Sequence, residues 1–238
     1  MAGIFENALS ERVDAMLDAC TACGKCFEAC PITAPAGVAG TEPREAIAGV
    51  LQILRNGYGP EPSAKWANSC VASGECIKVC DYGVNPRFLL SMARVAMART
   101  KNEPHQQRKL GVDGFRLVAR DVMQLSRMQL TDAQLARLGQ DPAAPSEEGA
   151  ALPEVVFYTG CNVLKTPHIA LLALDILDAI GVSYRVMGGP SHCCGVVQMR
   201  TGDLDASGRF GESTMDKLAK SASGKVLAWC PTCTVQFN

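Results

Sequence analysis

Aromatic residues are scarce. Phe, Tyr and Trp make up 5% of the 238 residues, too few to build a base-stacking surface for single-stranded nucleic acid. A surplus of charge is also missing: 23 Lys and Arg face 24 Asp and Glu, a formal net charge of −1. That balance gives no electrostatic footprint for nucleic acid or an anionic membrane. No apolar run approaches the roughly 20 residues that span a bilayer. The opening MAGIFENALSERVD meets charge within six residues and lacks the basic-then-apolar pattern of a secretory signal. These features predict a cytoplasmic chain, with peripheral attachment to the inner face of a membrane as the other option. There is no G-x-G-x-x-G at a strand–helix junction, no phosphate-binding loop and no G-x-S-x-G elbow, which argues against nucleotide or flavin binding.

Cysteine is abundant, at 12 residues. In a chain with cytoplasmic features, such density points to metal or redox chemistry rather than disulfide staples. The cysteines form two groups, at 20–80 and 161–233, with none in the 80 residues between them. Hydrophobic residues at 47% allow a packed core, and the length suits one domain or two small ones.

The pattern changes along the chain. Phe5, Leu9, Val13, Met16 and Leu17 recur at helical spacing over 4–19. Ile47, Val50, Leu51 and Leu54 do so from Pro43 to about Arg55, with Gly57 just beyond, and a third helix runs from Phe88 to Ala98 after a break at Pro86. No strand pattern interrupts this half, which therefore reads as all-helical. Phe115, Val118, Val122, Leu125 and Met128 form one apolar stripe over 112–130, and Thr131 with Gln134 fits a capping box. Met92, Met97, Met123 and Met128 read as packing residues. The seven basic and four acidic residues of 101–137 mark a solvated face or a partner-docking face.

Gly139–Pro153, with three prolines and no periodicity, reads as a linker. After it come a strand at Glu154–Thr159, a helix capped by Thr166 with Pro167 first, and a wide stripe from Ile169 through Leu172, Ala173, Ile176 and Leu177 to Ile180 that stops at Gly181. A strand at Ser183–Met187, a helix around 205–220 and a strand at Lys225–Trp229 complete the pattern. Strand, helix, strand, helix, strand implies a small α/β layer with parallel strands. Its cysteines fall at or after strand carboxyl ends, where such sheets carry their sites.

Cys20-x2-Cys23-x2-Cys26-x3-Cys30-Pro31 is the bacterial ferredoxin run, whose fourth cysteine ordinarily serves the other cluster of a pair. Three thiolates so spaced wrap one cube, Gly24 lets backbone approach the inorganic sulfurs, and Pro31 turns the chain away. A zinc site or structural cysteines are the competing readings. The second run, Cys70-x5-Cys76-x3-Cys80, is one ligand short, with Ser73 where the missing cysteine would stand. A cube lacking one thiolate tends to exist as [3Fe-4S], unless Ser73 supplies its hydroxyl and a second [4Fe-4S] results. From about Ala19 to Ala98 the chain resembles the helical ferredoxin domain of succinate dehydrogenase iron–sulfur subunits, including Gly83-Val84-Asn85-Pro86. The resemblance implies crossed ligation: Cys20, Cys23, Cys26 and Cys80 on a [4Fe-4S] cluster, Cys30, Cys70 and Cys76 on a [3Fe-4S] cluster. Two departures stand out: Asp81 replaces that family's proline, and no plant-type [2Fe-2S] domain precedes the run.

Cys161, Cys193-Cys194-Gly195 and Cys230-Pro231-Thr232-Cys233 form a C…CCG…CxxC pattern. It resembles the cysteine-rich CCG domain of heterodisulfide reductase catalytic subunits and of several respiratory iron–sulfur subunits. Vicinal thiolates do not comfortably bind one iron of a cube, yet they bridge an irregular cluster. The resemblance implies Cys161, Cys193, Cys194, Cys230 and Cys233 as ligands of a noncubane [4Fe-4S] cluster, while four thiolates with a Cys-x2-Cys pair also fit structural zinc. His192 is the candidate catalytic group, donating to a cluster sulfur or protonating a substrate thiolate; the competing reading makes it a bystander.

The expected architecture is an α-helical ferredoxin-like domain (1–100), a helical connector and linker (101–153), and a small α/β CCG domain (154–238). The family's catalytic unit carries two CCG domains facing each other, whereas this chain shows one and ends five residues after Cys233. The second half is expected from another chain, or the sequence is a piece of a longer one. The function expected is an electron-transfer subunit of a heterodisulfide-reductase-like or respiratory oxidoreductase. Its partners would be a flavoprotein, a membrane quinone-reactive subunit or both, and it would bind no nucleic acid. The alternative is a non-catalytic assembly subunit with zinc in the CCG domain.

Overall fold

The computed structural model describes residues 2–138, 152–221 and 224–237. They form two compact units: residues up to Gly111 with Gln198–Asp205, and Val112–Val197 with the residues from Ala206 onward. The expected connector is shared between them, 101–111 packing in the first unit and 112–138 in the second. Its proline-rich linker, apart from Leu152 and Pro153, lies outside the described residues.

The first unit is helical: α1 (Ala2–Ala19), α2 (Lys25–Glu28), α3 (Pro43–Asn56), α4 (Glu61–Ser69), α5 (Glu75–Lys78), α6 (Pro86–Lys101) and the start of α7 (Pro104–Gln129). Helix α3 opens where the Glu42 carboxylate accepts from Glu45 N at 2.8 Å, with Pro43 preset for the first turn, and it ends at Gly57. Its buried face of Ile47, Val50, Leu51 and Ile53 meets Leu89 and Leu90 of α6 and Trp66 of α4. The Phe27 ring stands edge-on to Trp66, centroids 4.9 Å apart. Helix α4 lacks the apolar periodicity that would announce it; Trp66, Ala67 and Ser63 alone bury it, with Ser63 Oγ donating to Ala46 O at 2.9 Å. Pro86 is not a break but the first residue of α6, which Asn85 caps by accepting from Phe88 N. Met199 and Leu204 from the Gln198–Asp205 segment cover Met92 and Val95 of α6.

The second unit holds the rest of α7, then α8 (Asp132–Leu138), β1 (Val155–Gly160), α9 (Pro167–Ala179), β2 (Tyr184–Gly188), the start of α10 (Val196–Thr201), most of α11 (Leu204–Ser221), β3 (Val226–Ala228) and α12 (Pro231–Phe237). The strands form a parallel sheet in the order β2-β1-β3. Central β1 is buried along its whole length, as a parallel strand covered on both faces must be. Phe157 points into a core with Leu174 and Leu177 of α9. Val156 and Tyr158 alternate to the opposite face and meet Cys194, Cys230, Cys233 and Leu218 of α11. With neighbours on either side, β1 marks a topological switch point, and its carboxyl end is where an open α/β sheet places a site.

Local details differ from expectation in three places. Thr131 and Gln134 do form the reciprocal capping box, but Thr166 caps nothing, because its Oγ1 donates to Val163 O. The inward line of α7 runs through half-buried Phe115 and Val118 to buried Val122 and Ser126, the last anchored by a 2.8 Å bond to Leu164 O, which leaves Leu125, Met123 and Met128 exposed. Those two methionines therefore do not pack. Leu172, Ile176 and Ile180 of α9 are likewise exposed.

Candidate metal centres

The first unit's two cysteine runs are the same loop built twice, fifty positions apart. Cys20, Ala22, Cys23, Gly24, Cys26 and Cys30 correspond to Cys70, Ala72, Ser73, Gly74, Cys76 and Cys80. Ala22 and Ala72 both take the left-handed conformation (φ 52° and 60°), and Gly24 and Gly74 follow in it (φ 86° and 84°). Positive φ is uncommon outside glycine, so its recurrence at equivalent alanines marks one demanding geometry used twice. Each glycine opens a one-turn helix that carries the cysteine two positions on inward: Cys26 in α2 and Cys76 in α5 are buried. Gly24 has a second constraint, since a Cβ there would stand 2.7 Å from Pro43. At the unmatched position, Ser73 is exposed.

The loops exchange their last thiols. Cys20, Cys23, Cys26 and Cys80 line one cavity, walled by Ile47, Val84 and Leu89. The other neighbourhood joins Cys76 to Cys70 and Cys30. Burial pushes the Cys26 thiol up to about 12, reinforced by Cys76, Cys20 and Cys23 around it, and burial pushes Cys76 up to about 11. Without a cation, such thiols keep their protons; a cluster that binds them must displace protons and supply the compensating charge. Asp81, where the family's proline was expected, forms an ion pair with Lys25 of the other loop, tying the two loops together across their surface.

Two groups that no motif announced attend the second neighbourhood. Trp66, fully buried, donates its indole N–H to Cys30 Sγ at 3.3 Å. Arg94 of α6 reaches Cys70 O at 3.5 Å, while its Nε is buried without a partner.

In the second unit the five cysteines close into a ring, with Cys161 against Cys193 and Cys230, Cys193 against Cys194, Cys194 against Cys233, and Cys233 against Cys230. Cys193, Cys194, Cys230 and Cys233 are buried. Three strand ends deliver them: Cys161 follows β1, the vicinal pair follows β2 through a short 3₁₀ turn, and Cys230 lies two residues past β3. Gly160 admits the CxxC pair, its missing Cβ position lying 3.0 Å from Cys233 Sγ. Gly195 has φ +83°, and a Cβ there would stand 2.4 Å from Ser207 O, so the third letter of the CCG motif is set by backbone packing. Thr214 Oγ1 donates to Cys193 O at 2.8 Å and anchors the pair to α11.

Charge is unevenly shared around the ring. A thiol hydrogen bond from Cys193, then one from Cys233, holds Cys194 below the usual thiol range, and one from Cys233 does the same for Cys230. Donating those bonds, together with burial, pushes Cys233 up, and the bond to Cys193 does the same for Cys161. Low-lying thiolates beside protonated neighbours suit the capture of cations, each further metal bond releasing a proton. Tyr158 roofs the ring from β1, and its hydroxyl donates to His192 O at 2.7 Å.

His192 is 2% exposed. Its Nδ1 lies 2.9 Å from Gly188 O, a carbonyl that only accepts, so Nδ1 carries the proton. Nε2 is then a lone-pair acceptor, buried without a partner. Burial lowers the pKa of the ring, so His192 rests neutral.

Comparison with known proteins gives two family matches. The 4Fe-4S dicluster domain model matches residues 15–84, and the cysteine-rich domain model, CCG, matches residues 155–238. The chain is 26% identical to a subunit of the dihydromethanophenazine:CoB–CoM heterodisulfide reductase of Methanosarcina mazei, over 91% of this chain and 56% of that protein. The corresponding protein of Methanosarcina acetivorans gives the same identity and coverage, and that of Methanosarcina barkeri is 25% identical. The chain thus spans about half the length of the curated relatives it matches. No solved structure gives a significant match.

Proposed function

We propose, starting from a chain that is a heterodisulfide-reductase-like iron–sulfur protein joining a 4Fe-4S dicluster domain to a cysteine-rich CCG domain, that it is an electron-transfer subunit of an oxidoreductase complex. The observation that carries this reading is the gathering of all twelve cysteines into three thiol sets: two exchanged between duplicated loops, one closed into a ring. Cys20, Cys23, Cys26 and Cys80 hold a [4Fe-4S] cluster. Cys30, Cys70 and Cys76 hold a [3Fe-4S] cluster, because the position equivalent to Cys23 is an exposed serine. Cys161, Cys193, Cys194, Cys230 and Cys233 hold a noncubane [4Fe-4S] cluster. When bound, these groups supply one-electron carriers whose potentials respond to hydrogen bonds, charge and burial.

The chain's own residues set that environment. Trp66 and Arg94 place a hydrogen bond and a positive charge beside the second set, which favours the reduced form. Tyr158 and the buried ring exclude water from the third. Support for iron over zinc there comes from the donor set, which holds one thiol more than the four ligands that close a structural zinc site. A ring of five thiols suits a polynuclear group better than one tetrahedral ion.

The relatives' names supply the substrate class, a disulfide, whose reduction consumes two electrons and two protons and gives two thiols. His192 is the proposed proton carrier, with Nε2 taking up and passing on the proton while Nδ1 stays anchored to Gly188 O. Electrons come from a flavoprotein or a membrane quinone-reactive subunit, which fits a chain that shows no membrane-spanning helix among its described residues. The site of action is cytoplasmic, with peripheral attachment to the inner face of a membrane as the other option. Metal content of the anaerobically purified chain tests the reading: about eleven irons per chain is expected. About seven irons and one zinc would instead indicate an assembly subunit. In the complete complex, H192Q should keep its iron and lose disulfide turnover; unchanged turnover would remove His192 from the reaction.

A further inference from the structure

A second cavity of the first unit, about 630 Å³ in volume, opens beside Cys70. Its size is that of a small-ligand pocket. Arg94, Lys101 and Arg200 line it, with the amides of Asn68 and Asn102, and no acidic side chain is among its lining residues. Arg94 is the telling member. It is half-buried, its Nε has no partner, and its guanidinium makes only a long contact with a backbone carbonyl among the described residues. Three cations facing one space create a mutual repulsion that no acidic lining residue offsets. An oxyanion relieves it, because guanidinium forks match phosphate, sulfonate and carboxylate oxygens. We infer that this cavity binds a small molecule through an anionic phosphate, sulfonate or carboxylate group.

The site stands on geometry alone and needs no cluster. If the proposed function holds, the ligand's negative charge lies against the centre held by Cys70 and makes it harder to reduce, so the ligand reports to, or regulates, that centre. An acidic protein surface is the competing occupant, but the concave shape favours a small group over a flat face.

Calorimetric titration of the full cluster-containing chain with inorganic phosphate and pyrophosphate, at low ionic strength, tests the inference. Saturable binding at one site per chain is expected, with R200Q and K101Q each weakening it by at least about tenfold and R94Q abolishing it. Arg200 and Lys101 lie at the surface, so those variants keep the inference falsifiable should R94Q fold poorly. No saturable binding, or binding untouched by R200Q and K101Q, overturns the site; so does tight binding of poly-glutamate with none of phosphate, which would assign the face to an acidic partner. A redox titration with and without pyrophosphate separates the two levels. A shift of the second centre to lower potential supports both, whereas binding without any shift keeps the anion site and removes the cluster assignment beside it.

Discussion

The indole of Trp66 donates a hydrogen bond to the sulfur of Cys30, 36 positions earlier, across 3.3 Å. One buried aromatic thereby links the core of the first unit to the last thiol of its first loop. A donor to a ligand sulfur stabilises the more negative state of a cluster and raises its potential. In W66F the ring still fills the core next to Phe27, but the donor is gone. The midpoint potential of the second centre should fall, and the unfolding free energy should drop by about 1–2 kcal/mol. Redox titration and thermal denaturation measure the two effects, and an unchanged potential would detach Cys30 from that centre.

Ser73 occupies the place that Cys23 holds in the duplicate loop. S73C should restore a fourth thiolate and raise the iron content by about one per chain. The near-isotropic EPR signal of an oxidised three-iron centre should disappear. A native protein with no such signal would mean that the serine hydroxyl already completes a four-iron centre.

The ring of the second unit predicts a different pattern. C193S and C194S should each remove the whole third centre, because each thiol bridges two neighbours in a closed circuit. Spectra of the first two centres should persist, since their ligands lie in the other unit. Were the ring to hold one zinc ion, four thiolates would suffice and at least one of the five single serine variants would retain full metal.

Gly195 should tolerate no side chain. G195A forces a left-handed backbone on alanine and drives Cβ into Ser207 O, a combined cost of at least about 2 kcal/mol. Lower thermal stability and loss of the third centre are expected together, although no thiol has been touched. Normal metal content in G195A would show that the loop can relax.

Helical periodicity and strand-like apolar runs make most elements legible in the sequence, because α3, α6 and β1 bury apolar residues, although β3 itself is exposed. Helix α4 stays hidden because it packs through Trp66, Ala67 and Ser63, which have no amphipathic signature. On α7 the apolar stripe and the buried face diverge, since a buried serine paired with a carbonyl replaces the apolar residue that periodicity seeks. Cysteine spacing marks out the three motifs, while the exchange of Cys30 and Cys80 is an expectation that the resemblance to the succinate dehydrogenase domain implies. It does not reveal Trp66, Arg94 or Tyr158. These reach their thiols through tertiary packing from other elements, and no local pattern encodes that. The equivalence of Ala22 and Ala72 is available as a fifty-residue repeat, but their left-handed backbone becomes visible only in three dimensions.

The exchange of last thiols between the loops makes each an incomplete vessel. Cys80 stands in the cavity of the first loop and Cys30 beside the second, so neither copy can be filled while the other is unfolded. Loading of the two centres should therefore be all-or-none during biogenesis. Oxidation of Cys80, a half-buried thiol on one loop, would strip iron first from the centre of the other, so damage would spread by topology rather than by distance.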